Sequence, residues 1–279
     1  MRVNTNMNLW HKTVLQIDSP LILLSVFFSL ILFFFAASKH FLLGNDIADI
    51  GFFEQFSWLI SNGKITTVSS LLNRQPLQDH FSLLLVPIGL LYKFIPSTYT
   101  LLGIQSVALG IMPAITANYA NQVGMPAKLK RALIIALIIC PYLFLVNLAN
   151  FHPEVVTAPL MLVVLVEVNK KRRITFYGCL LLSLFAKKSQ AFFGIGVSIY
   201  ALAKGRFRRS LSTFLISLFW WFLAAKMSEE AGDFILARLG YLGGNISEII
   251  YTLITSPWQV FVEAPPEAIA LYTMGLLMP

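Results

Sequence analysis

Charge is what this sequence has least of. Asp, Glu, Lys and Arg make up 12% of its 279 residues, about half the roughly 25% of a soluble domain. With 57% apolar residues beside so few charges, a single soluble core cannot absorb the apolar surface. A water-soluble globular enzyme is therefore excluded, and so is a disordered chain. Cysteine is nearly absent. Cys140 and Cys179 both lie in apolar runs, which excludes a secreted disulfide scaffold. Low-complexity segments and internal repeats are absent as well. What the sequence does have is long apolar runs and a mean hydropathy of +0.74. It reads as an all-α, polytopic helical membrane protein.

A span needs about 20 mostly apolar residues. Runs that suit one lie near 20–37, 98–119, 132–150, 155–168, 174–186, 190–203 and 211–225, and another starts at 268–279. Together they predict a single membrane domain over 1–279. The first run is longer than the apolar part of a cleaved leader and is expected to stay as an anchor. The last run stops at Pro279, inside a nascent span, so the chain reads as truncated.

The net charge is +8, and its distribution gives its meaning. Three loops are strongly basic: Lys128/Lys130/Arg131, Lys170 to Arg173, and Lys204/Arg206/Arg208/Arg209. Positive loops stay in the cytoplasm, so the expectation is an integral membrane protein with a cytoplasmic N-terminus. Basic loops also meet anionic lipid, and no nucleic-acid partner is implied. Parity then requires that one early apolar segment not cross. Residues 81–95 are short and contain Pro87, so they are expected to lie along the outer interface, as is a helix over 49–61.

Polar chemistry collects on the outer side. Asp46 and Asp49 are at i, i+3 and would share a helix face. Such a pair can hold a divalent cation or act as a general base, or it can simply cap a helix. His80 stands where the large first outer loop returns to the membrane, as a ligand, a proton carrier or an interfacial residue. Phe151-His152-Pro153-Glu154 reads as a helix start, and His152 and Glu154 could complete a metal or acid–base site with Asp46 or Asp49. Lys187 and Lys188 interrupt apolar runs on the acidic side. They suit a phosphate group or a snorkelling turn. Asn245-Ile246-Ser247 fits a glycosylation sequon.

In order along the chain, these segments resemble a prokaryotic family of polytopic membrane proteins, the domain of unknown function 2079. Asp49-Ile50-Gly51-Phe52-Phe53-Glu54-Gln55 matches its first motif. His80-Phe81-Ser82-Leu83 matches the second without its proline. Phe151 to Glu154 matches the third, Lys187-Lys188-Ser189 keeps the lysine of the fourth, and Gly240 to Gly244 follows the fifth. That family is remotely similar to the GT-C membrane glycosyltransferases. The resemblance implies the N-terminal part of a GT-C-like bundle with a large first outer loop. It implies sugar transfer from a polyprenyl-phosphate-linked donor at the outer face. Asp49 is the implied catalytic carboxylate, with Asp46 as alternative. His80, His152, Lys187 and Lys188 would serve substrate and phosphate, and Asp46, Asp49 and Glu154 are a candidate divalent-cation set. The two acids that follow the lysine of the fourth motif are missing here. That keeps open a non-catalytic assembly subunit, and a lipid or solute transporter is the third reading.

Overall fold

The structure, a computed structural model, describes residues 19–45, 47–71, 73–78, 81–228 and 239–261, with residues 266, 270, 273 and 274. Asp46 and His80 lie outside the described residues, as does nearly all of the expected span at 268–279. Among the described residues the secondary structure is entirely helical. The chain forms two units, which meet in sequence between Met227 and Ser228.

The first unit begins with α1 (Ser19–Phe41), whose 23 residues reach about 35 Å. Its apolar side chains point outward more often than inward: Leu23 is 70% exposed while Leu32 is fully buried. That outward apolar surface is what lipid covers. Next come α2 (Ile47–Ser61), α3 (Leu85–Tyr92), α4 (Thr98–Gly110) and α5 (Met112–Gln122). Then α6 (Ala127–Ile138), α7 (Pro141–Leu148), α8 (Pro153–Val156) and α9 (Ala158–Glu167) follow, and α10 (Arg173–Leu184), α11 (Gln190–Ala203) and α12 (Phe207–Met227) close the unit.

Among the described residues, four stretches are long and apolar enough to cross a membrane: Ser19–Phe41, Thr98–Gln122, Ala127–Leu148 and Phe207–Met227. Two of them are broken by proline. Pro113 and Pro141 lack the N–H that would continue the ladder, so α4 gives way to α5 and α6 to α7. The local backbone tightens to compensate, with the Ala114 N–H donating to Ile111 O at 3.1 Å and the Cys140 N–H to Leu137 O at 3.3 Å. Helices α9, α10 and α11 are apolar but shorter.

Glycine sets the closest approaches. A Cβ on Gly110 of α4 would stand 2.0 Å from Ser29 Oγ of α1, and one on Gly194 of α11 would stand 2.0 Å from Ser217 Oγ of α12. Small residues at such crossings let helix backbones meet in a membrane, where apolar burial alone does not drive association.

Helix α2 ends at Gly63 with φ +70°. The Lys64 N–H donates to Leu59 O at 2.8 Å and the Gly63 N–H to Ile60 O at 3.0 Å, the hydrogen bonds of a Schellman motif. Of the aromatics of this helix, Phe53 and Phe56 are buried against α3 and Leu101, and Trp58 is exposed. The reason is local: Gly89 of α3 lets Ile60 of α2 approach so closely that a Cβ there would meet its Cγ2 at 2.6 Å.

The second unit contains the helix Ile246–Thr255 between turns at Gly240–Leu242 and Pro257–Phe261. Asn245 caps the helix by accepting from the Glu248 N–H at 3.0 Å, and the Glu248 carboxylate accepts from the Gly244 N–H at 2.9 Å. This reciprocal cap occupies the asparagine of the sequon.

Candidate functional site

Two ends of the first unit differ in charge. At one end the basic loops are tied together. Lys130 donates to Asn121 Oδ1 at 2.7 Å, Lys170 to Gln122, and Arg206 to Asn169 O at 3.2 Å. At the other end α2, the return loop after residue 80, α8 and the turn between α10 and α11 come together.

That second end is built on a buried polar network inside apolar helices. Gln105 of α4 donates to Asn150 O at 2.9 Å and to Asn147 O at 3.2 Å, and its Oε1 accepts the His152 N–H at 2.9 Å. Asn147 in turn donates to Leu32 O at 2.7 Å and accepts from Ser106 Oγ at 3.1 Å. Gln105 and Asn147 are buried, so every bond they make is one that lipid or core could not supply. The network fixes the Asn150–His152 backbone, with Asn150 held at φ +56°. Pro153 then starts α8 and turns Glu154 toward the α10–α11 turn.

Glu154 Oε1 lies 3.3 Å from Lys187 Nζ, both side chains half-buried. Lys187 is held from two sides. Trp220 Nε1 donates to its carbonyl at 3.5 Å, and Trp220 packs on Phe81 and Phe185 with ring centroids 5.5 and 5.1 Å away. The Leu84 N–H donates to Phe185 O at 3.0 Å, which ties the return loop to the same turn. Phe53, Ser82, Glu154 and Lys187 line one small cavity, so the first four sequence motifs each contribute to it. The cavity has no room for a water molecule. Ser82 Oγ is buried without a hydrogen-bond partner.

The remaining candidates fall as follows. The His152 ring sits 5.9 Å from the Phe53 ring. Asp49, half-buried, is one helical turn before Phe53 and therefore on the same face of α2. Lys188 goes elsewhere, its Nζ 6.0 Å from the Trp221 ring centroid. Among the described residues no three His, Cys, Asp or Glu gather as metal ligands. Glu154, the described partner of Asp49 in the candidate metal set, has Oε1 engaged by the Lys187 ammonium.

Sequence reasoning missed Glu54 as a structural anchor. Tyr92 Oη donates to Glu54 Oε1 at 3.1 Å and Thr98 Oγ1 to Glu54 Oε2 at 2.5 Å, locking α2 to α3 and to the start of α4. Burial and then the Glu54 charge push the Tyr92 phenol up to about 12. A phenol raised in the folded state stabilises the fold below its ordinary value near 10 and loses that contribution as pH climbs toward 12. Alkaline unfolding followed by circular dichroism should therefore begin above about pH 10. Tyr92→Phe should flatten this pH dependence and cost about 1–3 kcal/mol at neutral pH, because Glu54 loses a donor. An unchanged alkaline limb in the variant would refute the assignment.

The apolar helices and the polar cluster at one end define a polytopic helical membrane protein. The chain belongs to the family of predicted membrane proteins known as DUF2079, which matches residues 39–275. No curated protein and no solved structure matches it.

Proposed function

We propose that this chain is a membrane-embedded sugar transferase that draws its sugar from a polyprenyl-phosphate donor. The observation that carries the reading is the meeting of four separate motifs around Glu154 and Lys187, with Asp49 and His152 on the flanking Phe53 face. Isolated helix caps have no reason to converge. In the reaction an acceptor hydroxyl attacks the anomeric carbon of the donor. Asp49 takes the hydroxyl proton, the bond from anomeric carbon to phosphate oxygen breaks, and the phosphate leaves with the electron pair. Lys187 offsets the charge on that phosphate, and Glu154 holds the ammonium in place. A divalent ion at Glu154 would compete with the Lys187 ammonium for Oε1. The proposed topology sets this end at the outer face of a prokaryotic plasma membrane, with the basic loops and the N-terminus in the cytoplasm.

The test is to incubate the purified full chain with a radiolabelled polyprenyl-phosphate sugar and measure released polyprenyl phosphate. A second reading, a non-catalytic assembly subunit, is favoured by the closed packing around Glu154 and Lys187. Absence of any release, with the chain co-purifying in a stable complex, would establish that reading instead.

A further inference from the structure

The second unit carries an apolar surface that its own packing leaves open. In the helix Ile246–Thr255, Ile249, Ile250, Leu253 and Ile254 recur at spacings of three and four, which puts them on one stripe. Ile249 is used inside the unit. It is buried, and the chain after the Gly240–Leu242 turn comes so close that a Cβ on Gly243 would stand 2.8 Å from the Ile249 backbone nitrogen. The rest of the stripe faces out: Ile250 is 51% exposed and Ile254 75%, with Leu253 exposed between them. Trp258 and Phe261 of the following turn, Pro257–Phe261, are exposed as well. Tyr251 stands at the border of the stripe, a place that an apolar ring with a polar tip suits.

Charge and tether decide what covers this surface. Residues 239–261 contain no Lys or Arg, and their one charged side chain is Glu248. Both Glu248 oxygens are engaged at the helix start, Oε2 by the Gly244 N–H at 2.9 Å and Oε1 by Asn245 Nδ2 at 2.7 Å. On the side opposite the stripe, Thr252 and Thr255 accompany it. A surface without charge offers a charged partner nothing but apolar area. Six residues, 262–267, separate Phe261 from the apolar run that starts at Ala268, the next candidate membrane segment. Fully extended, that stretch reaches at most about 25 Å. Lipid is therefore the apolar phase within reach, and Trp and Tyr are the side chains that gather at its headgroup level.

We propose that the helix Ile246–Thr255 and the turn after it dock on the lipid surface of the protein's own membrane, with Ile250, Leu253, Ile254 and Trp258 inserted at the boundary of headgroups and acyl chains. Interfacial helices commonly add attraction between lysines and anionic lipid. This one has no lysine or arginine, so its insertion rests on apolar contact and not on headgroup charge. The inference stands apart from the sugar-transfer reading.

The experiment uses the full chain, carrying Cys140→Ala and Cys179→Ala, in phosphatidylcholine vesicles. Ile250→Cys, Ile254→Cys and Trp258→Cys are made one at a time and labelled with an environment-sensitive fluorophore, with Thr252→Cys and Thr255→Cys as controls. Labels at 250, 254 and 258 should lose fluorescence to lipids brominated in the upper acyl chain and be spared by aqueous iodide. Labels at 252 and 255 should show the reverse. Replacing part of the phosphatidylcholine with phosphatidylglycerol, or raising the salt, should leave the pattern unchanged. Ile250→Glu/Ile254→Glu should reduce lipid quenching of the label at 258. The three labelled apolar positions are exposed, so their labels spare the core, and the one at 258 lies outside the helix and carries the test if a helix variant does not fold. Iodide quenching at every position would leave the surface in water and overturn the proposal. Protection from both quenchers at 250 and 254 would mean that protein covers the stripe, the first unit or a second copy, and would overturn it equally. Quenching that needs phosphatidylglycerol and fades with salt would make the attachment electrostatic and overturn the apolar assignment. Unchanged quenching at 258 in the double glutamate variant would remove the helix as the docking element.

Discussion

Asp49→Asn should lower release of polyprenyl phosphate by about 10²–10⁴-fold, the usual contribution of a general base. The fold should barely register the change. Asn has the size of Asp and serves equally well at a helix start. The lost negative charge in the first turn of α2 should cost only about 0.3–1 kcal/mol. A structural role would instead lower melting temperature and turnover together. His152→Ala should reduce turnover less than Asp49→Asn, because its backbone N–H, not its ring, makes the bond to Gln105 and so survives the change. The ring contributes contact with Phe53 and a surface for substrate. Turnover unchanged by Asp49→Asn would remove Asp49 as the base and leave the Glu154–Lys187 pair as a structural clasp.

The class of this protein was legible in its sequence because the physics of a bilayer acts through composition. Residues 20–37 are so continuously apolar that only a lipid-facing helix accommodates them, and α1 covers that run. The family was legible through the order of its motifs, among which Phe151-His152-Pro153-Glu154 is the most complete. The partners of polar residues were not legible. Gln105 and Asn147 sit in apolar runs that flag them as polar exceptions. Nothing along the chain says that Gln105 reaches the carbonyls of residues 147 and 150. Glu54 likewise lies inside the first motif, yet its partners Tyr92 and Thr98 are 38 and 44 residues away. Lys187 and Lys188 read as a pair because they are adjacent. Turn geometry separates them, one onto Glu154 and the other over Trp221. Side-chain direction at a turn depends on backbone angles that composition does not encode.

The crossings made by Gly110 and Gly194 should respond differently to the same substitution. Gly110→Ala places a Cβ 2.0 Å from Ser29 Oγ, and also 2.7 Å from Ser29 Cα and 2.8 Å from Ser29 Cβ. Two of those three atoms cannot rotate away, so α1 and α4 must separate. The cost should be about 1–3 kcal/mol for alanine, with valine preventing assembly. Gly194→Ala also places a Cβ 2.0 Å from a serine Oγ, that of Ser217, but the next atom, Ser217 Cβ, is 3.0 Å away. Here the hydroxyl is most of the obstacle. Removing it should therefore rescue one crossing and not the other: Gly194→Ala/Ser217→Ala should regain most of the lost melting temperature, whereas Gly110→Ala/Ser29→Ala should not. Gly178 on α10 has nothing within 4 Å of a built Cβ. Gly178→Ala should thus be neutral or stabilising by up to about 1 kcal/mol through helix propensity. Thermal unfolding of the purified chain in detergent separates these cases. Equal rescue of both crossings would mean that α1 and α4 are not in backbone contact at Gly110. Gly110→Val melting with the wild type would mean that the α1–α4 crossing is not a determinant of the fold.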